Sequence, residues 1–288
     1  MSETLRKVDG RSVLRMERPL AHPPEKVWRA ITEPAHVDRW FPFAVKVDPR
    51  AGGAIRFVGH DVGGGPETEG VITDFDPPKV FAYTWGEDHL RWEVVADGTG
   101  SVLVLTHTFD DHAGAASFAA GWMSCIGALV EVLAGAPVSR AGDMIATHEA
   151  FVGRFGLDRG SVEAGADGWT VRFERQLTRP VDATWAAIGG PEAAVGAPAP
   201  AAATVDAVPA GPVSAVEAPA ALEYEWRSAG RPAGRVRWEL EPGTGHGARL
   251  LLTQTGPAAP EGERDAALEA WRTRIESLAA VLAALPPG

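Results

Sequence analysis

The chain repeats itself. VLRMERPLAHPPEKVWRAI at 13–31 lies over TVRFERQLTRPVDATWAAI at 170–188 without a gap, so that Glu17 meets Glu174 and Trp28 meets Trp185. FAYTWGEDHLRWEV from Phe81 returns as LEYEWRSAGRPAGRVRWEL from Leu222, with what reads as a longer hairpin loop, and places Tyr83 and Trp85 over Tyr224 and Trp226. VLVLTHT ending at Thr108 matches RLLLTQT ending at Thr255, and GWMSCIGALVEVLAG from Gly121 matches AWRTRIESLAAVLAA from Ala270. Order-preserving similarity at a separation of roughly 150 residues is the mark of two copies of one domain, whereas solenoids repeat at roughly 20 to 50. The spacing predicts a first domain over 1–136, a helical and Gly-rich linker over 137–165, and a second domain over 166–288.

Within a copy the apolar periods set the elements. Val13 to Leu20 alternates as a strand, His22-Pro23-Pro24 turns, and Pro24 opens a helix with Val27, Trp28 and Ile31 on one stripe. Pro34 starts a further short helical turn carrying Val37 and Trp40. Short strands follow at Ile55–Val58, Glu69–Phe75, Val80–Trp85, Leu90–Val95 and Val102–Phe109, separated by Gly, Pro and Asp. The turn before the last strand is Asp97-Gly98-Thr99-Gly100 in one copy and Pro242-Gly243-Thr244-Gly245 in the other. Ser117–Ala134 then shows a period near 3.6, as does Leu268–Leu285. Strands followed by a long amphipathic helix make an α+β architecture, present twice. Between the copies Asp143–Phe155 reads as a helix and Gly156–Gly168 as turns. Gly189–Ala221 is nearly all Ala, Pro, Gly and Val, and reads as partly disordered.

Charge and cysteine content narrow the function classes. A net charge of -11 opposes attraction to nucleic acid or anionic lipid, so no nucleic-acid partner is expected. MSETLRKVDGRSV has no apolar run and no later stretch of about 18 uncharged apolar residues occurs, so neither export nor membrane insertion is expected. The single cysteine, Cys125, fits a reducing, cytoplasmic setting. The chain has no phosphate-cradling GxxxxGK[ST], no GxGxxG, no HExxH and no Cys/His cluster, so neither cofactor nor metal is implied.

The pattern ERPLAHPPEKVWRAITEPAHVDRWF, with its Thr32-Glu33-Pro34 step and its Trp40-Phe41 pair, resembles the activator of heat-shock-protein-90 ATPase homologue family. GVITDFDPPKVFAYTW, the strand ending in LTHTF, and the helix with Gly121-Trp122 extend the likeness over about residues 10–135. That family lies in the SRPBCC, or START-like, superfamily. The resemblance implies a helix-grip fold, in which a curved antiparallel sheet wraps a long C-terminal helix and can leave an apolar cavity. It implies no single activity, since superfamily members bind lipids, hormones or polyketides and a minority catalyse cyclisation or hydrolysis. The second copy departs from the pattern where Trp40-Phe41 should recur and runs instead into PEAAVGAPAPAAATV, which marks it as degenerate.

The candidates for lining a cavity in the first copy are Trp40, Phe41, Phe57, His60, Trp85, Trp92, His107, Phe118 and Trp122. Trp28 reads as core. His60-Asp61, ahead of Gly63-Gly64-Gly65, is a candidate acid/base pair at a cavity mouth only if a turn brings both side chains to one side. His107, alternating with Thr106 and Thr108, reads first as a satisfied core histidine and second as a donor to a ligand carbonyl. Cys125 reads as a buried inert thiol, and the recurring Arg15/Arg172, Glu17/Glu174 and Arg18/Arg175 as a strand-surface row of ion pairs or a shared packing need. No catalytic residue is assigned. The expected function is binding of a small apolar molecule in the first domain. The alternatives are a protein-interaction or co-chaperone-like module, and a polyketide-cyclase-type cyclase or hydrolase using His60, Asp61 or His107.

Overall fold

The computed structural model describes residues 2–59, 67–139, 142–245, 247–258 and 261–286. The chain divides into two compact units, the first ending at Met144 and the second beginning at Ile145. We call them domain 1 and domain 2.

Domain 1 is one antiparallel sheet of eight strands and a long helix. β1 (Ser2–Val8), β2 (Arg11–Leu20), β3 (Phe43–Val47), β4 (Ala54–Gly59), β5 (Thr68–Asp76), β6 (Val80–Trp85), β7 (Asp88–Asp97) and β8 (Gly100–Phe109) pair in the order β1-β2-β8-β7-β6-β5-β4-β3. β1 and β3 are elements that the alternation of apolar residues did not disclose, because neither has a cleanly buried face. In β2 the alternation buries Ser12, Leu14 and Met16 on the concave side. α1 (Pro24–Thr32) starts at a proline, where the missing N–H is not needed, and buries Val27, Trp28, Ala30 and Ile31; a single turn, α2 (Pro34–Val37), follows. Gly98, at φ 59°, makes the two-residue turn between Asp97 and Gly100 that joins β7 to β8. α3 (Ala115–Leu133) corrects the expectation that no long uncharged apolar stretch occurs: residues 113–130 carry no charge, and at a mean hydropathy of 1.6 the helix is long and apolar enough to cross a membrane by length and composition, but half of it is buried. It is the core helix, gripped by the sheet through Phe118 on Phe109 and Trp122 on Trp92.

Domain 2 repeats this plan with fewer strands. After α4 (Met144–Phe155) come β9 (Ser161–Gly165), β10 (Gly168–Gln176), α5 (Val181–Ala187), β11 (Ala210–Glu217), β12 (Ala221–Ser228), β13 (Arg231–Pro242), β14 (Ala248–Gly256) and α6 (Glu261–Ala283). The sheet order is β11-β12-β13-β14-β10-β9, which matches β5-β6-β7-β8-β2-β1 strand for strand. Even the register agrees: Leu14 faces His107 and Val171 faces Gln254, the residues that the sequence repeat superposes.

Three expectations are corrected in this domain. The Gly156–Gly168 stretch is not all turn, because β9 lies within it and pairs with β10. The β12–β13 hairpin has no longer loop; Ser228 pairs with Arg231 across Ala229-Gly230, both at positive φ, and the additional residues lengthen the strands around a bulge at Trp226/Arg227. Gly189–Ala221 is folded. It stands where β3 and β4 would be and buries Ala203 and Val208 completely. Its part ahead of β11 also runs along that strand, where Val213 N donates to Ala197 O at 2.8 Å, Gly196 N donates to Val213 O at 2.9 Å, and Pro198 bridges Pro212.

The recurring charged pairs diverge. Arg15 and Glu17 form an ion pair near the surface. Arg175, by contrast, is only 1% exposed and joins Glu149 of α4 at 2.5 Å and Glu276 of α6 at 2.9 Å. It is a buried tie between two helices and the sheet, and so answers to packing and not to a strand-surface row.

Candidate functional site

The concave face of domain 1 is paved with rings. Trp40 and Phe41 arrive on the turn after α2, where Trp40 N and Phe41 N both donate to Val37 O and the Trp40 indole donates to Ala30 O at 2.9 Å. Trp40 meets Trp92 edge-on at 5.9 Å, and Trp92 meets Trp122 of α3 edge-on at 5.6 Å. Phe41 stacks on Trp122 at 6.1 Å and touches Phe57 and Trp85, which stack on each other at 4.5 Å. His107 meets Phe118 at 4.8 Å and Trp122 at 6.0 Å. Eight of the nine cavity candidates therefore belong to one continuous ring network. The ninth, His60, lies outside the described residues, as does Asp61. Phe43, Phe109 and Tyr83 also join the network; for Tyr83 and Phe109 the sequence signal was the two-residue spacing from Trp85 on β6 and from His107 on β8, whereas Phe43 had none, because β3 does not alternate.

The polar groups in this apolar setting are few and mostly paired. His107 is buried; its Nδ1 accepts from the Trp122 indole at 3.2 Å and its Nε2 lies 2.9 Å from Asp88 Oδ2. An indole only donates, so Nδ1 is the acceptor and the ring proton sits on Nε2, directed at Asp88. Both nitrogens are engaged, which leaves His107 as the satisfied core histidine and gives it no open lone pair for acid/base work. In domain 2 the equivalent position is Gln254, whose Oε1 accepts from the Trp271 indole at 2.6 Å, and Trp238 meets Trp271 edge-on at 5.8 Å as Trp92 meets Trp122. Trp85 donates to Thr68 at 2.8 Å, and Trp92 donates to the Tyr83 hydroxyl at 3.2 Å. Burial pushes the Tyr83 phenol well above its ordinary value, so it stays protonated. Cys125, expected to be buried, is half-buried on α3. Among the described residues no cluster of His, Cys, Asp and Glu could hold a metal ion.

Most of the ring network is closed. Between sheet and α2 lies a void of about 20 Å³, lined by residues that include Ile31, Thr32, Trp40, Phe57, Tyr83 and Trp92, room for about one water-sized atom. Phe43, Trp85 and Phe118 stay half-buried at the margin. A larger concavity, about 650 Å³, is an open groove on domain 2 between Val205–Ala207 and the outer side of α6, with Asp206, Glu269 and Arg274 in its walls.

The family model of the Activator of Hsp90 ATPase homolog 1-like proteins matches residues 21–134 and again 201–283, together more than half of the chain. The chain belongs to this family. Its two matched stretches fall one in each domain, and the second begins just before the buried Ala203, inside the segment that stands where β3 and β4 would be. No curated protein matches the chain. Among solved structures, a conserved protein of unknown function from Enterococcus faecalis is similar at 19% identity, covering 53% of this chain and 89% of its own, with a TM-score of 0.46. CalU16 from Micromonospora echinospora is similar at 20% identity, covering 54% and 94%, with a TM-score of 0.44. DynU16, a protein of the dynemicin biosynthetic locus, is similar along both domains at 17% identity, covering 94% and 97%, with a TM-score of 0.40.

Proposed function

We propose that domain 1 binds a small, neutral, apolar molecule on its aromatic face, and that the protein acts as a cytoplasmic carrier or sensor of it. The observation that carries the reading is the ring network itself. Domain 2 buries all five of its tryptophans, 169, 185, 226, 238 and 271, to 5% exposure or less, whereas domain 1 leaves Phe43, Trp85 and Phe118 half-buried beside the interior. Wide, rigid aromatic faces with few polar groups suit recognition by contact area. Size sets a further condition. A micromolar complex, about 8 kcal/mol, requires removal of at least roughly 300 Å² of apolar surface from water. That is a molecule of two fused rings or more, so one or two rings must swing away from the void to admit it.

Native mass spectrometry of freshly purified full-length protein, followed by organic extraction, tests the reading. A stoichiometric neutral molecule, or micromolar quenching of tryptophan fluorescence by naphthalene-type probes, supports it. A clean mass together with no probe binding sinks it and leaves the protein-interaction module, which a closed interior favours.

A further inference from the structure

Tyr83 and Tyr224 occupy the same place in the two domains, as do Trp92 and Trp238. Their hydrogen bonds differ. In domain 2 the Tyr224 hydroxyl donates to Ala203 O at 2.7 Å and the Trp238 indole donates to the same oxygen at 3.2 Å. The carbonyl belongs to the Ala-rich segment and is fully enclosed. In domain 1 the Trp92 indole donates to the Tyr83 oxygen, but among the described residues the Tyr83 proton has no acceptor, although the side chain is only 4% exposed. Tyr83 lines the void of about 20 Å³, and so do Trp92 and Trp40.

A buried hydroxyl donor without a partner is rare and costly, because desolvation is not repaid. The void beside it is sized for a single oxygen. We propose that the Tyr83 hydroxyl is the polar anchor of the ligand site in domain 1, donating to a carbonyl oxygen that sits where domain 2 places the Ala203 carbonyl. Domain 2 thereby carries its own built-in occupant. The inference rests on the reading of domain 1 as ligand-binding and adds the chemical class: a neutral ketone, aldehyde or ester on an apolar body. A carboxylate is disfavoured, since the residues lining the void include no cation to pair with it and an unpaired buried charge is expensive. The body takes the space of the Trp40 and Phe41 rings, which sit on a turn outside the sheet and for which domain 2 has no aromatic counterpart.

The test uses the full chain and two probes of one shape, acetylnaphthalene and isopropenylnaphthalene, followed by tryptophan quenching. The ketone should bind about tenfold more tightly than the hydrocarbon, the ratio expected for one buried hydrogen bond. Tyr83→Phe should bring the two together by weakening the ketone alone. If that variant does not fold, the carbonyl stretch of isotopically labelled ketone on the wild-type protein gives the same answer, shifted to lower frequency when hydrogen-bonded. Equal binding of both probes with an unshifted stretch overturns the anchor and leaves apolar binding intact. Binding of neither probe overturns the ligand-binding reading and the anchor with it.

Discussion

Replacing His107 by Gln should be nearly harmless, and replacing it by Leu should not, because the chain contains its own control. Gln254 holds the Trp271 indole in domain 2 by the same contact that His107 makes with Trp122. A glutamine at 107 keeps an acceptor for the indole and offers its amide N–H to Asp88. The expected loss is below about 1 kcal/mol. Leucine is similar in bulk but removes the acceptor. The Trp122 indole, in a side chain only 6% exposed, then has an unsatisfied N–H at about 1–3 kcal/mol, and the Asp88 hydrogen bond costs roughly a further 1 kcal/mol. Asp88 itself is 28% exposed and can turn to water, which caps its share. For a domain of this size about 3 °C accompanies each kcal/mol. His107→Leu should therefore lower the domain 1 transition by roughly 6–12 °C and His107→Gln by no more than about 3 °C. Near-ultraviolet circular dichroism during thermal unfolding of the full chain reads this, with any transition unmoved by either substitution serving as the internal reference. Equal losses for Gln and Leu would show that the indole contact is not what the residue supplies.

Further outcomes follow from other contacts. Tyr224→Phe removes one of two donors to Ala203 O and should destabilise domain 2 by about 1 kcal/mol in urea titrations, with an unchanged m-value. A Cβ on Gly190 would press into the Trp185 ring, so Gly190→Ala should cost about 1–3 kcal/mol by the same assay. Burial lowers the pKa of His148, with Arg175 acting in the same direction and Glu149 against it. The unfolded chain therefore takes up a proton near pH ~6.5 that the folded chain refuses, so stability is full above that pH and falls as the pH drops below it. Domain 2 should lose stability from about pH 7 towards 5, and His148→Leu should flatten that slope.

The duplication was the most legible part of the fold, since residues as distant as Trp28/Trp185 and Trp122/Trp271 align because each pair meets the same packing demand. The ring network was largely legible too, because β4, β6, β7 and β8 set their aromatic and large apolar residues at two-residue spacing and α3 repeats near 3.6. Edge strands β1 and β9 were not, because an edge needs a register partner more than a hydrophobic face. The Ala-rich stretch misled for a related reason. Composition counts side chains, and what holds 193–209 in place includes main-chain groups: the carbonyl of Ala203 and the ladder to Val213. The shared tyrosine was visible in the sequence, but the different hydrogen bonding of its hydroxyl in the two domains was not.

A sheet that ends at β11, without the strands that follow β5 in domain 1, presents a bare row of amides and carbonyls that any extended chain could extend. Here the row is already spoken for at Val213, and where the strap meets β11 Pro198 lies against Pro212 of the strand, neither of which has an N–H to give. The strap that looks like filler thus acts as a selvedge: shortening it should leave the fold's interior less full and its margin adhesive, with self-association appearing before unfolding.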